Sequence, residues 1–292
     1  DPHGLASVML KELVEERTDG TMTIEIYPAG QLGGDAALIE AMALDSGTVE
    51  LIISDASNFA TYEPKMGISA LPFLFADFED AWAFMDSDIV ADVEKLMIDY
   101  NIRVLGHYCN GFRCVTTTTN PVQSPDDMEG LLIRTPENPV IMSTMRALGA
   151  NPQPLAFSEL YMALQQGTYD AQENPVPVIY NNKLYEVQKG LSLTNHIYSG
   201  MCVAVSESAW QKMSAAQQEI LATAIKETEG FNRDTNRRMT KDFLTELEAE
   251  GVNIATPDLT PFSAACQSVF DELGSTYGDD LMNRLNDWLD NN

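Results

Sequence analysis

Between Ser214 and Glu250 the chain carries an uninterrupted helical pattern. Ser214-Ala215-Ala216-Gln217 is a capping box, no proline follows, and Gly251 supplies a stop. About 36 residues rising 1.5 Å each reach roughly 54 Å, against the ~30 Å of a compact small domain. Such a helix either crosses two lobes or kinks near Gly230. The length of 292 residues agrees, at about 150 per domain. No internal repeat or low-complexity linker divides the chain. Two lobes without a flexible linker imply a chain that crosses between them more than once.

Elsewhere helical and extended segments alternate. Leu5, Val8, Met9 and Leu13 recur at helical spacing before Gly20, and Met22, Ile24 and Ile26 alternate with polar residues like a half-buried strand. Gly33-Gly34 opens a helix carrying Leu38, Ala41 and Met42, and Phe78–Tyr100 reads as helical. Val49–Ile53, Ile102–Tyr108, Phe112–Thr118, Leu131–Arg134, Met201–Val205 and Val252–Ala255 read as strands. Asn138-Pro139 caps a helix closed by Gly149, Ser158 caps another closed by Gly167, and Thr260-Pro261 opens a final helical pair ending at Trp288. The alternation predicts an α/β fold with largely parallel pairing.

Charge excludes several partners. Against 44 Asp+Glu stand 17 Lys+Arg, a net charge of −27. A surface this acidic has no broad footprint for nucleic acid or anionic lipid. A hydrophobic fraction of 45% is too high for a disordered chain. No apolar run approaches the ~20 residues of a membrane span. Asp1-Pro2-His3-Gly4 is no secretory leader, which fits a cytosolic chain or a mature exported one.

The chemical motifs are equally sparse. No dinucleotide glycine pattern, Walker loop, His-Glu-x-x-His or Gly-x-Ser-x-Gly occurs, and His3, His107 and His196 lie in no triad-like setting. The carboxylates are too many to single out a glycosidase pair. Cys109, Cys114, Cys202 and Cys266 match no zinc spacing and read as buried free thiols. No cofactor or metal is expected.

Positive charge is the scarce commodity. Arg113 lies inside the apolar run Phe112–Val115, and Arg134 ends a strand just before a helix N-terminus. Each either pairs with a local acid or grips an anionic ligand through two parallel hydrogen bonds, with the helix dipole favouring an anion beside Arg134.

After Arg134 the chain reads Ala147-Leu148-Gly149-Ala150-Asn151-Pro152-Gln153-Pro154-Leu155-Ala156-Phe157-Ser158-Glu159-Leu160-Tyr161, then Ala163-Leu164-Gln165-Gln166-Gly167 and Asp170-Ala171-Gln172-Glu173-Asn174-Pro175. This resembles the signature of substrate-binding proteins of tripartite ATP-independent periplasmic (TRAP) transporters, the sialic-acid and sugar-acid binders among them. Pro28–Gly33, Ala70–Phe73 and Tyr185–Lys189 agree, so the resemblance covers nearly the whole chain. One departure is that the family's usual strand upstream of the Asp1–His3 segment is absent.

The resemblance implies a two-lobed periplasmic-binding-protein (Venus-flytrap) fold with crossing strands and a long helix spanning both lobes. Lobe I would comprise residues 1–110 plus about 199–238, and lobe II residues 111–198 plus about 239–292. Arg134 matches the arginine that clamps the ligand carboxylate, Arg113 a second arginine that assists it, Asn174 a ligand-bonding asparagine, and Phe157 an aromatic packed on the ligand. Glu137 and Gln172 are either polyol partners or surface residues, Asn138 a helix cap or a contact, and Phe73 cleft wall or core. Asp55 and Asn58 follow a strand, where α/β clefts open.

The expected protein is thus a periplasmic monomer without enzymatic activity or cofactor. It captures a small organic acid, with a sugar acid such as a hexuronate preferred, and delivers it to a TRAP permease. Sialic acid, a four-carbon dicarboxylate or a hydroxy acid are the alternatives within the family, and a carbohydrate-active enzyme with paired carboxylates the alternative outside it. The mean field of the chain repels such an anion, so binding must come from a local positive pocket.

Overall fold

Ile102–Tyr108 and Phe112–Thr118, which read as two short strands, are one long strand, and Met201–Val205 is the end of a second long one. A computed structural model describes residues 1–291. Its strands are β1 (Leu51–Asp55), β2 (Ile102–Thr117), β3 (Leu132–Thr135), β4 (Asn151–Pro154), β5 (Ala171–Pro175), β6 (Gly190–Ser206) and β7 (Asn253–Ala255). They form one sheet in the order β1-β6-β2-β5-β3-β4, with β7 beside β6. The 16 residues of β2 run antiparallel to the 17 of β6, from Ile102 opposite Ser206 to Thr117 opposite Gly190. At ~3.3 Å per residue each spans about 50 Å, enough to thread both lobes.

The expectation of largely parallel pairing is corrected here. β1 with β6, β2 with β5 and β2 with β6 are antiparallel, whereas β3 with β4, β3 with β5 and β6 with β7 are parallel. The chain leaves on β2 and returns on β6, so those two must oppose each other. Helical crossovers impose parallel pairing only on the shorter strands.

The helices are α1 (Pro2–Arg17), α2 (Asp35–Ala43), α3 (Phe78–Met85), α4 (Asp88–Lys95), α5 (Pro139–Ala147), α6 (Leu160–Gln165), α7 (Val176–Asn181), α8 (Glu207–Lys212), α9 (Ala215–Ala249), α10 (Thr260–Ala265), α11 (Gln267–Tyr277) and α12 (Asp279–Asn291). The capping box forms as read: Ser214 Oγ accepts from Gln217 N, and Gln217 Oε1 accepts from Ser214 N. α9 then continues through Gly230 for 35 residues.

Two local readings change. Met22–Tyr27 pairs with no strand. Its alternation reflects packing beside α1, where Lys11 Nζ donates to Ile24 O and Glu15 accepts from Ile24 N. Ser158 caps no helix, because a 3₁₀ turn at Phe157–Glu159 leads straight into α6.

α9 carries polar residues on its buried face, and β2 explains them. The β2–β6 register slips between Cys109 and Gly111. Asn236 Nδ2 donates to the carbonyls of Cys109 and Asn110 at 3.0 and 2.9 Å, and Asn232 Oδ1 accepts from Cys109 N. Backbone groups freed by the bulge are thereby satisfied without water. Gly111 has φ +116°, and a Cβ there would meet Pro175 at 3.2 Å.

The apolar interior falls into separate clusters. One gathers Phe59, Phe84, Met97, Ile102 and Cys202, and a second gathers Val115, Ile133, Met145 and Phe262. α12 returns to the first: Leu281 and Leu285 are buried in it, and Trp288 lies edge-on to Phe84 and Phe75. All four cysteines are buried free thiols. No helix among the described residues is long and apolar enough to cross a membrane.

Candidate functional site

Strands β2, β5 and β3 lie side by side, and their register brings the scarce cations together. Arg134 on β3 is opposite Gln172 on β5, and Gln172 is opposite Thr116 on β2. Arg134 is 3% exposed. Its Nε and Nη2 both donate to a single carbonyl, Leu155 O, at 2.9 and 2.6 Å. Among the described residues no carboxylate forms an ion pair with it. Its guanidinium carbon lies 5.8 Å from the Phe157 ring centroid, and Phe157 itself is 41% exposed. Burial drags the Arg134 pKa down to about 10, opposed by the charge of Glu173. A buried cation without a counter-ion is costly, and an incoming anion relieves that cost.

Arg113 is arranged differently. It forms a forked ion pair with Glu173: Nε donates to Oε2 and Nη2 to Oε1, the latter at 2.8 Å. Nη2 also donates to the Glu173 carbonyl at 3.0 Å and to Asn174 Oδ1 at 3.3 Å. Burial alone would raise the Glu173 pKa, yet Arg113 holds it at about 2. His196 is fully buried beside it, with Nε2 3.3 Å from Glu173 Oε2 and Nδ1 2.8 Å from Thr194 Oγ1. Burial lowers its pKa and keeps the ring neutral. Arg113 and Glu173 therefore cancel, and Arg134 is left as the unbalanced charge.

From Arg113 a chain of side chains runs along the sheet. Asn174 Nδ2 donates to Gln172 Oε1 at 2.6 Å, Gln172 Nε2 to Thr116 Oγ1 at 2.7 Å, and Thr116 Oγ1 to Gln188 Oε1 at 3.1 Å. All four members are buried, so Gln172 belongs to the interior of this network and not to the surface.

A second chain of bonds starts at the loop into α5. Asn138 Oδ1 accepts from Ile141 N at 3.1 Å and so caps α5. Its Nδ2 reaches Ser57 Oγ at 2.6 Å and Asn58 Oδ1 at 3.1 Å. Asn138 is therefore a cap and a tie at once. Asp55 accepts from the hydroxyls of Ser57 and Ser199, and Asn110 Nδ2 donates to Ser199 Oγ at 3.1 Å. Asp55 thus links the turn after β1 to the bulge in β2, and Asn58 ties the same turn to Asn138.

Phe73 is half-buried at φ +53°, an outlier for an aromatic residue, with its N–H on His196 O at 2.8 Å. Its ring packs on the second apolar cluster. Glu137 is exposed, outside both networks. Glu173 and His196 were not among the site residues expected from sequence. The signal for Glu173 was present, since it stands between Gln172 and Asn174 in the family-like run.

This arrangement of a two-lobed mixed sheet, a spanning helix and an unpaired buried arginine at the strand ends defines a periplasmic-binding-protein class of molecule. The description "Bacterial extracellular solute-binding protein, family 7" (DctP) matches residues 1–276, and the chain belongs to this family, whose members are solute-binding transport proteins of TRAP systems. It is 33% identical over 278 residues to the sialic acid-binding periplasmic protein SiaP of Vibrio cholerae, covering 95% of this chain and 86% of that one. A TRAP periplasmic solute-binding protein of a Polaromonas species, bound to D-erythronate, superposes with TM-score 0.93 at 32% identity, covering 98% of this chain and 94% of that one. A Xanthobacter autotrophicus counterpart with bound β-D-galacturonate gives TM-score 0.93 at 27% identity, covering 99% and 95%.

Proposed function

We propose that the ligand is a sugar acid carrying one carboxylate, clamped by Arg134 between the lobes. The observation that carries this reading is the charge balance of the buried site. Arg113 is neutralised by Glu173, His196 is neutral, and Arg134 alone lacks a counter-ion. A ligand carboxylate supplies the counter-ion that Arg134 lacks. A second carboxylate on the same small ligand would face Glu173 and Asp55 in a desolvated space, which disfavours a dicarboxylate. The Asn174–Gln172 network and the Asn58–Asn138 tie supply donors and acceptors for hydroxyls. The sugar acids held by the Polaromonas and Xanthobacter relatives support the same class. A hexuronate remains the preferred member, with sialic acid and a hydroxy acid behind it.

In this reading Arg134 makes the bidentate pair, Arg113 and Asn174 assist, and Phe157 packs on the ligand. Lobe I takes residues 1–110 and about 199–238, and lobe II takes residues 111–198 and about 239–292, with α12 strapped back onto lobe I. The protein works as a periplasmic monomer, closes on its ligand, and hands it unchanged to a TRAP permease.

A thermal-shift screen over uronates, aldonates, sialic acid and dicarboxylates tests the proposal. A ligand at 100 times its Kd stabilises the fold by ~2.7 kcal/mol. The expected hit is a sugar monocarboxylate whose shift vanishes in Arg134→Ala. Retention of the full shift in that variant, or a hit confined to neutral solutes or to dicarboxylates, overturns it.

A further inference from the structure

His107 and Cys202 are direct partners across the antiparallel β2–β6 pair, and Glu94 on α4 lies over both. Glu94 Oε1 is 2.5 Å from His107 Nε2 and 3.8 Å from Cys202 Sγ. One nitrogen, one sulfur and one oxygen from these residues lie within 4.8 Å of one another. Cys202 is fully buried and His107 is 9% exposed. Among the described residues the only charged partner of Glu94 is His107, and no lysine or arginine neutralises the trio. The neighbouring carboxylates of Asp86 and Glu229 differ, since Lys226 and Arg233 already occupy both.

We infer that Glu94, His107 and Cys202 bind a borderline-soft divalent transition ion such as Zn²⁺. Imidazole nitrogen, thiolate sulfur and carboxylate oxygen are the donors zinc takes, and three protein ligands leave its fourth position to water. The sulfur and nitrogen donors disfavour Ca²⁺ and Mg²⁺, which require oxygen. Metal–ligand bonds of about 2.0–2.3 Å in a tetrahedron require the His107–Glu94 contact to open by roughly 1 Å. Glu94 borders a void of about 10 Å³ lined also by Met66, Ile68, Met85 and Val93.

Protons balance as follows. Burial resists charging His107, but Glu94 and Glu229 outweigh it and raise its pKa, against Arg233. Burial, Glu94 and Asp55 keep the Cys202 thiol protonated. Binding of one ion requires the Cys202 thiol to release its proton to solvent, as must His107 Nε2 where it carries one. The ion ties α4 to the two long strands within one lobe, independently of what the cleft binds.

Titration of the full chain with Co²⁺ tests this. The expected result is a thiolate-to-cobalt charge-transfer band at one ion per chain, erased by excess Zn²⁺, with Zn²⁺ alone raising the Tm. Cys202→Ser loses the band, whereas Cys109→Ser, Cys114→Ser and Cys266→Ser keep it. Glu94→Gln weakens Zn²⁺ binding by at least about tenfold, the smallest loss expected even for an outer-shell partner. Absence of the band in the wild type, its survival in Cys202→Ser, or a Tm indifferent to Zn²⁺ overturns the inference. Should Cys202→Ser not fold, an unchanged Zn²⁺ affinity in Glu94→Gln overturns it instead.

Discussion

Arg134 carries opposite obligations to stability and to binding. Replacing it with Met removes a buried charge that has only a carbonyl for company. The ligand-free protein is expected to gain about 1 kcal/mol in urea unfolding while binding collapses. Arg134→Ala is expected to cost about 2–5 kcal/mol of affinity in calorimetry, the range for truncating one partner of a buried charge pair. Glu173 behaves in the reverse sense. Its folded pKa of about 2 lies below the ordinary ~4.3, so its stabilisation is present above pH ~4.3 and drains as pH falls toward ~2. Glu173→Gln strands Arg113 and is expected to destabilise the fold by about 3–5 kcal/mol at neutral pH. Its stability is then flatter across that acid window, which melts at stepped pH can follow. Arg134 was legible because cations are rare in this chain. Glu173 was marked only by its place between Gln172 and Asn174, because nothing else sets one acid among 44 apart as buried opposite an arginine.

At the scale of elements, the bulged middle of β2 and the polar stripe of α9 depend on each other. Asn236→Ala leaves the carbonyls of Cys109 and Asn110 without their donor, at an expected cost of about 1–3 kcal/mol in thermal or urea melts. Gly111→Ala places a Cβ at φ +116° against Pro175 and is expected to cost at least as much, about 1–3 kcal/mol. α9 was readable in advance, since a capping box and the lack of any breaker act locally. Strand direction was not, because alternation reports which side faces water and says nothing of the neighbour's sense. Met22–Tyr27 shows the same limit: a segment lying on a helix alternates as well as one in a sheet. Ile102–Tyr108 and Phe112–Thr118 merge because Asn110-Gly111 between them form a bulge inside one strand.

For the whole molecule, the −27 charge and the buried cation act at different distances. Stopped-flow association of an anionic ligand is expected to speed up with added salt, since screening relieves the long-range repulsion. The enclosed Arg134 pair is screened far less, so dissociation should change little. Closure of the proposed lobes is also tied by Asn138, which reaches Ser57 and Asn58 from the start of α5. Asn138→Ala removes a helix cap worth about 0.5–2 kcal/mol and the inter-lobe tie together. It is expected to weaken ligand binding and to enlarge the radius of gyration of the liganded protein in solution scattering.

The return of α12 to the first apolar cluster also constrains how the chain acquires its shape. Leu281, Leu285 and Trp288 complete an interior whose other buried members are Tyr277, residues between Ile39 and Cys109, and residues around Tyr198–Ala204. That cluster is not closed until residues 279–291 have emerged. A chain cut after Gly278 loses the closing wall of a cluster whose first buried member, Ile39, lies some 240 residues earlier (278 − 39 = 239).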